Sequence, residues 1–186
     1  GSAGLTILGA ATIGVAVGTF IVKKLDQAAG EGADAAENRL GNERAAVAAG
    51  STLTLTRLSH GGRLILLDTA AGSTITLPAA TGSYTHFDFV VTVTPTSNQH
   101  RINVVGDDAF LGVAWVATDA DSVDLSTHSF EAATDTDQIN MNGTTTGGVI
   151  GATVSLIDVL ADRWSVQIHT AATGTEATPF STGQVS

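Results

Sequence analysis

The chain has 186 residues and a mass of 18.8 kDa, which fits one domain or one domain with an appendage. Eight Lys and Arg against 18 Asp and Glu give a formal net charge of −10, so nucleic acid is not an expected partner. The absence of cysteine excludes disulfide scaffolds, thiol catalysis and Cys-ligated zinc. The mean hydropathy of +0.24 is high for a monomer of this size, and burial in an oligomer or larger assembly would explain it.

The first 22 residues carry no charged side chain. One interpretation is an extended or β arm that partners bury, because apolar side chains alternate along residues 13–21. A second is a membrane-spanning helix over residues 4–22, since about 20 apolar residues can cross a bilayer. A third is a disordered leading segment. A signal peptide is disfavoured because the basic pair Lys23-Lys24 follows the apolar run instead of preceding it.

The next segment, residues 23–50, is rich in alanine and charge and contains too few large apolar residues to build a core. It predicts a linker or surface arm with helical tendency. Residues 1–50 are therefore assigned to an N-terminal arm and linker, residues 51–170 to a β domain and residues 171–186 to a small, polar C-terminal tail.

The β domain alternates apolar and polar residues in short runs separated by turn residues. About nine short strands at this spacing predict an all-β fold, an antiparallel β-sandwich or a barrel-like domain. The predicted strands are 51–58, 63–68, 74–77, 87–94, 101–105, 110–118, 138–141, 149–159 and 164–170, with weaker candidates at 123–125 and 129–132.

Three features of this domain carry more specific predictions. Residues 63–78 and 155–168 both have a strand–turn–strand pattern and look like hairpins. The pair Asn142-Gly143 is a further hairpin signal. Trp115 and Trp164 both lie in apolar strands, which predicts that both are core residues.

Candidate metal ligands are few. No two of the five histidines have the spacing of a metal-binding motif. Residues 107–137 contain eight of the 18 acidic residues and no Lys or Arg, so they could bind Ca²⁺ or form a solvated acidic surface. The best Ca²⁺ candidates are Asp119, Asp121 and Asp124, although the EF-hand spacing is absent.

No motif indicates catalysis. The sequence lacks GxSxG, SxxK, a P-loop and GxGxxG, so it provides no activated nucleophile and no phosphate-binding loop. We therefore expect no enzyme activity, no catalytic residues and no cofactor.

The layout of turns and strands in residues 51–170 carries a family resemblance. It resembles the small β-rich head decoration (capsid cement) proteins of tailed bacteriophages. The residues concerned are Leu53–Thr56, Gly62, Leu66–Asp68, Gly72, Thr74–Pro78, Gly82, the strand from Phe87 to Val93, and Asn103-Val104. These are turn and core patterns and not catalytic signatures, and residues 1–50 depart from the compact family pattern.

The resemblance implies a structural virion protein, a homotrimer bound to the outer surface of the capsid, with the major capsid protein as its partner. Such an oligomer bridges neighbouring capsomers and so resists the pressure of packaged DNA. The apolar arm is the expected capsid contact, and a membrane is not the expected partner. The arm residues singled out are Leu5, Ile7, Leu8, Ile13, Val15, Val17, Phe20 and Ile21.

Two alternatives remain open at this point. The β domain could be a fibre-type module that binds a receptor or a glycan through its loops. The chain could also be a surface protein anchored in a membrane by residues 4–22.

Overall fold

The computed structural model describes residues 46–118 and 126–183, which belong to one compact unit, Ala45–Ser186. In this unit a seven-stranded sheet (sheet A) packs on a five-stranded sheet (sheet B), which confirms the predicted all-β sandwich. The elements described are β1 (Val47–Ala48), β2 (Thr52–Thr54), α1 (Arg57–His60), β3 (Leu64–Leu67), β4 (Thr74–Thr76), β5 (His86–Val91), β6 (His100–Asn103), β7 (Ala109–Thr118), β8 (Thr127–Glu131), β9 (Gln138–Met141), β10 (Thr153–Leu160), β11 (Arg163–Ala172) and β12 (Phe180–Ser181).

The strand order is β1-β3-β5-β10-β11-β7-β8 in sheet A and β12-β9-β6-β4-β2 in sheet B. From β1 to β7 the chain alternates between the two sheets. In this part of the fold the chain runs in one direction along sheet A and back in the opposite direction along sheet B. Within sheet A, β1, β3 and β5 are therefore parallel, and within sheet B, β2, β4 and β6 are parallel. The sheets are mixed, and the expected antiparallel pairing is found in the second half of the chain, as in β10–β11 and β7–β8.

The two strand–turn–strand units that look alike in sequence fold differently. Strands β10 and β11 form the predicted hairpin, in which Asp162 takes the left-handed conformation (φ 60°) that Asp tolerates in a tight turn. Strands β3 and β4 lie in different sheets, so residues 68–73 cross between sheets. The hairpin predicted at Asn142-Gly143 is wrong for the same reason, because β9 and β10 lie in different sheets.

The core lies between the sheets and is formed by alternate residues of the strands. Phe87 and Phe89 on β5 are at most 1% exposed, as the alternation of that strand predicts. The prediction for Trp164 is confirmed, since it is fully buried against Phe87 with ring centroids 5.7 Å apart. The prediction for Trp115 is wrong. It lies on the outer face of sheet A, where its ring stacks on His169 at 4.7 Å.

The ends of the β domain also differ from the predicted bounds. Residues 57–60 form α1 in place of a strand, because the Thr56 hydroxyl accepts the Ser59 amide proton (3.2 Å) and caps the helix. Strand β1 precedes the predicted boundary at residue 51. Beyond residue 170, β11 continues and β12 pairs with β9, with Phe180 only 7% exposed.

The strands connect two opposite ends of the sandwich. We define the apolar end as α1 with the connections 77–85, 104–108, 132–137 and 161–162, and the polar end as the connections 49–51, 68–73, 92–99, 142–152 and 173–179. Hydrogen bonds within each group support the division. At the apolar end, for example, the Asp162 amide donates to Ala80 O at 3.3 Å, and at the polar end the Thr96 amide donates to Ala70 O at 2.8 Å.

Candidate functional site

Exposed large apolar side chains are concentrated at the apolar end. Of the seven such side chains in the described part of the chain, six lie at or near this end and one, Ile150, lies at the polar end. Apolar residues exposed together on a protein surface mark interaction sites. The six are Leu58 on α1, Leu64 at the start of β3, Tyr84 before β5, Leu111 near the start of β7, and Ile157 and Leu160 near the end of β10.

A buried carboxylate holds the loops of this end together. Asp158 occupies an inner position of β10 and is fully buried. Its carboxylate accepts hydrogen bonds from Arg57 Nη2 (2.8 Å), the Thr81 amide (2.9 Å), the Gly82 amide (2.7 Å) and the Ser83 hydroxyl (2.6 Å). We call these five residues the Asp158 clamp. It joins α1, the 77–85 connection and β10, which are far apart in sequence.

The clamp keeps its carboxyl ionised. Burial by itself would raise the pKa of Asp158, but the hydrogen bonds from Ser83, Arg57 and the Gly82 amide outweigh burial and hold the pKa well below its usual range. Arg57 also donates to the backbone oxygen of Ala79. Removing the partner of a buried charge is strongly destabilising, so the clamp stabilises the packing of these three segments at the apolar end.

Exposed apolar residues are fixed directly to the clamp. The Tyr84 amide donates to the Asp158 carbonyl (2.8 Å), and Tyr84 takes a left-handed conformation (φ 58°) that is unfavourable for a bulky residue. Tyr84 is 74% exposed and directly follows Ser83, a residue of the clamp. Leu58 follows Arg57 and is 94% exposed, while Leu160 lies two residues after Asp158 and is 59% exposed. The clamp therefore holds in place the backbone that presents three of the six side chains.

A second buried acid joins the 104–108 connection to the 77–85 connection at the same end. Asp108 is 5% exposed and accepts the Ala80 amide proton at 2.6 Å. Burial raises the pKa of the Asp108 carboxyl, and the hydrogen bond from Ala80 opposes part of the rise.

The polar end is organised by a buried histidine. His100 Nδ1 accepts the Ser73 amide proton (3.1 Å), so the proton of the neutral ring is on Nε2, which donates to Val93 O (2.9 Å). Burial lowers the pKa of His100 and favours this neutral form. The ring thus joins the 68–73 connection to the 92–99 connection.

Two adjoining grooves of about 380 and 430 Å³ lie beside this histidine, and both contain Asn98, Gln99 and Arg101. Arg101 is the charged residue in both linings. The remaining lining residues are Ser51, Ala71, Gly72 and Thr74 in the first groove, and Thr96, Ser97, Asn142 and Thr144 in the second.

The site residues singled out from sequence lie outside the described residues. This applies to the Ca²⁺ candidates Asp119, Asp121 and Asp124, to the arm residues between Leu5 and Ile21, and to the candidate membrane span at 4–22. Across residues 46–118 and 126–183, no three His, Asp or Glu side chains converge as a metal site. No helix in the same residues has the length and hydropathy needed to cross a membrane.

The sequence alone did not single out Asp158, which holds the apolar end together, or Arg101, the charged residue of the grooves at the polar end. For Asp158 a signal exists, because it continues the inner-facing alternation of Val154 and Leu156, and an acid in such a position needs partners. For Arg101 no local signal exists, because its surroundings come from loops that are distant in sequence.

No protein-family model, curated protein or solved structure matches the chain.

Proposed function

We propose that this chain is a structural virion protein that binds the outer surface of a tailed-bacteriophage capsid and stabilises it by bridging capsomers. In this proposal the apolar end of the sandwich and the apolar segment 1–22 contact the major capsid protein. The observation that carries the proposal is that six of the seven exposed large apolar side chains lie at one end of the sandwich.

This distribution suits a docking surface better than an ordinary monomer surface. Scattered exposed apolar residues are normal, but a group at one end exposes area that a partner can cover. The Asp158 clamp supports the same function, since a preorganised surface loses less conformational entropy on binding. Each buried leucine or isoleucine would contribute roughly 1.5–3 kcal/mol before such losses.

To bridge capsomers, one oligomer of this chain must contact the capsid at more than one place. We propose a homotrimer, in which three linked copies of the apolar end bind neighbouring capsomers at once. Linked contacts raise the effective concentration of the second and third binding events, so that modest single contacts hold the shell together.

The test compares two exposed residues at opposite ends. Leu160→Asp adds a charge to the apolar end, and Ile150→Asp adds the same charge to the polar end, where the side chain is 68% exposed. Each variant is mixed with empty shells of the phage that encodes the chain, and occupancy is measured by co-sedimentation. We expect Leu160→Asp to reduce affinity by roughly tenfold or more and Ile150→Asp to bind as the wild type does. Equal binding by both variants would contradict the proposal.

A truncation tests the contribution of the arm. Deleting residues 1–22 should leave the β unit folded, with an unchanged circular dichroism spectrum, and should abolish shell binding because the longest apolar run is lost. Undiminished occupancy by the truncated chain would rule out the arm as a capsid contact.

A further inference from the structure

We propose that the grooves at the polar end bind an acidic sugar, that is, a sugar ring carrying a carboxylate, with Arg101 as the carboxylate partner. This inference goes beyond capsid binding and does not depend on it. It rests on the geometry of Arg101, on the polar groups around it and on the rigidity of the loops that form the groove walls.

Arg101 is oriented by a network on the outer face of sheet B. Its Nε donates to Asn140 Oδ1 (3.0 Å), and Asn140 Nδ2 donates to Gln138 Oε1 (2.8 Å) and to the Ser181 hydroxyl (2.6 Å). Gln138 Nε2 donates in turn to Asn103 Oδ1 (2.7 Å). These bonds fix the plane of the guanidinium through one nitrogen. Its two terminal nitrogens bond to no residue of the described part of the chain, so they can form a bidentate pair with a carboxylate.

The charge around Arg101 favours a monoanion. The chain carries a net charge of −10, which opposes ligands that bring two charges to the same site, such as a phosphate monoester. Arg57, by comparison, is already paired with Asp158. The acid on the neighbouring 68–73 connection is Asp68, which accepts the Gly50 amide proton (2.9 Å) and lies close enough to act on His100. A single carboxylate matches one available guanidinium.

Uncharged polar groups surround the arginine and match sugar hydroxyls. The side chains of Asn98, Gln99, Ser51 and Thr74 line the grooves and have no hydrogen-bond partner within residues 46–118 and 126–183. Amides and hydroxyls both donate and accept, as sugar hydroxyls do. Each groove has the volume of a small-ligand site. A purely aliphatic carboxylate would leave these groups unused, so a hydroxylated ring fits the lining better.

The groove walls are held in contact by two glycines. Gly72 has φ +87°, and a Cβ there would lie 2.4 Å from Gln99 O. Gly143 has φ +78°, and a Cβ there would lie 2.3 Å from Pro95 O. Neither position accepts a side chain without movement of the facing backbone. Together with the buried His100, these contacts preform the grooves, which lowers the entropic cost of binding.

The grooves lie at the end opposite to the apolar side chains. A ligand there therefore remains accessible when the apolar end is covered. The acidic sugar could be free or part of a surface polysaccharide, and the test must separate these two sources.

The test is an NMR titration of the full chain with three matched probes. Glucuronate carries both the carboxylate and the ring, glucose carries the ring alone, and acetate carries the carboxylate alone. We expect glucuronate to bind with a dissociation constant on the order of 1 mM, and glucose and acetate to bind about tenfold more weakly. The shifted amide signals should be those of residues 96–101. A hyaluronan oligosaccharide identifies the source, because tighter binding than glucuronate indicates a polysaccharide and equal binding indicates a free sugar.

Variants separate specific recognition from general charge effects. Arg101→Gln should weaken glucuronate binding about tenfold or more, and Arg101→Lys should restore only part of it, since lysine keeps the charge but not the fork. Arg163→Gln removes the same charge at the apolar end and should change nothing. Unaltered thermal midpoints establish that the variants are folded. The proposal is overturned if glucuronate does not bind at concentrations on the order of 10 mM, if acetate binds equally well, or if Arg101→Gln binds like the wild type.

Discussion

The apolar and polar ends are formed by the same strands, yet they differ in what they bury and in what they expose. At the apolar end an ionised carboxylate, Asp158, is buried under its partners, and leucine and tyrosine side chains project into solvent. At the polar end a neutral imidazole, His100, is buried, and an arginine with amides and hydroxyls lines the grooves. In both cases one buried polar side chain near a strand end fixes the loops, and the exposed residues then decide what each end can contact.

The largest expected effect is the loss of the buried charge. Asp158→Asn replaces one acceptor oxygen with an NH₂ group that faces amide and guanidinium donors. The free energy of unfolding should fall by about 3–5 kcal/mol, as measured by urea denaturation. The matched control is Asp162→Asn in the adjacent turn, where Asn tolerates the same left-handed backbone and the loss should stay within about 0.5 kcal/mol. Similar losses in the two variants would show that the clamp does not stabilise the apolar end.

Replacing the buried histidine of the polar end should lower the free energy of unfolding by less than Asp158→Asn does. His100→Leu leaves the buried Ser73 amide and the part-buried Val93 carbonyl without their partner, and because only the amide is fully buried we expect a loss of roughly 1–3 kcal/mol in total. Since no charge is left unpaired, we expect a total below that of Asp158→Asn. His86→Gln, at an exposed histidine, serves as the control and should leave the urea midpoint unchanged. A loss for His100→Leu as large as that for Asp158→Asn would remove the energetic distinction between the two ends.

A pH series should separate the ends within one sample. The pKa of His100 is lowered in the folded state, so the unfolded state binds more protons and stability should fall as pH drops below the ordinary value of 6.5. The pKa of Asp158 is also lowered, but its contribution is complete above the ordinary value of 3.8 and is lost only in stronger acid. Asp108, whose pKa is raised, acts in the opposite sense and gains stability as pH falls through its folded pKa.

Hydrogen exchange is the measurement that resolves the two ends. Between pH 7 and pH 5, amides of the 68–73 and 92–99 connections should lose protection relative to those of 77–85. If protection is lost first at the apolar end, the pH dependence does not come from His100. The His100→Leu variant should show no difference between the two ends in how protection changes with pH.

The smallest expected effect on stability is at the exposed surface. Leu58→Ser changes a side chain that is 94% exposed and makes no core contact, so the free energy of unfolding should change by less than about 0.5 kcal/mol. Binding of a hydrophobic dye and shell occupancy should both fall, while Ile150→Ser changes neither. A stability loss above 1 kcal/mol would indicate that Leu58 is structural and not part of a docking surface.

Local sequence patterns predicted the strands far better than the ends. The alternation around Phe87 and Phe89 was sufficient for β5 and its buried face, and residues 138–141 are a strand with the predicted bounds. Alternation does not reveal which strands are neighbours, so the parallel pairing of β3 with β5 and the crossing at residues 68–73 could not be deduced.

The two ends depend on contacts that are distant in sequence. Asp158 receives its partners from Arg57 and from the 77–85 connection, and Arg101 is oriented by Asn140 on a strand reached much later in the chain. The resemblance to capsid decoration proteins remains a prediction, and the docking proposal now depends on a surface that the sequence alone did not reveal.

The most direct test of the central claim, that the apolar end contacts the capsid, is site-specific photo-crosslinking on assembled shells. A photoreactive residue is placed at position 160 in one sample and at position 150 in another, at opposite ends of the sandwich. We predict a crosslink to the major capsid protein from position 160 and none from position 150. A crosslink from position 150 with none from position 160 would contradict the account, because the polar end would then be the docking surface.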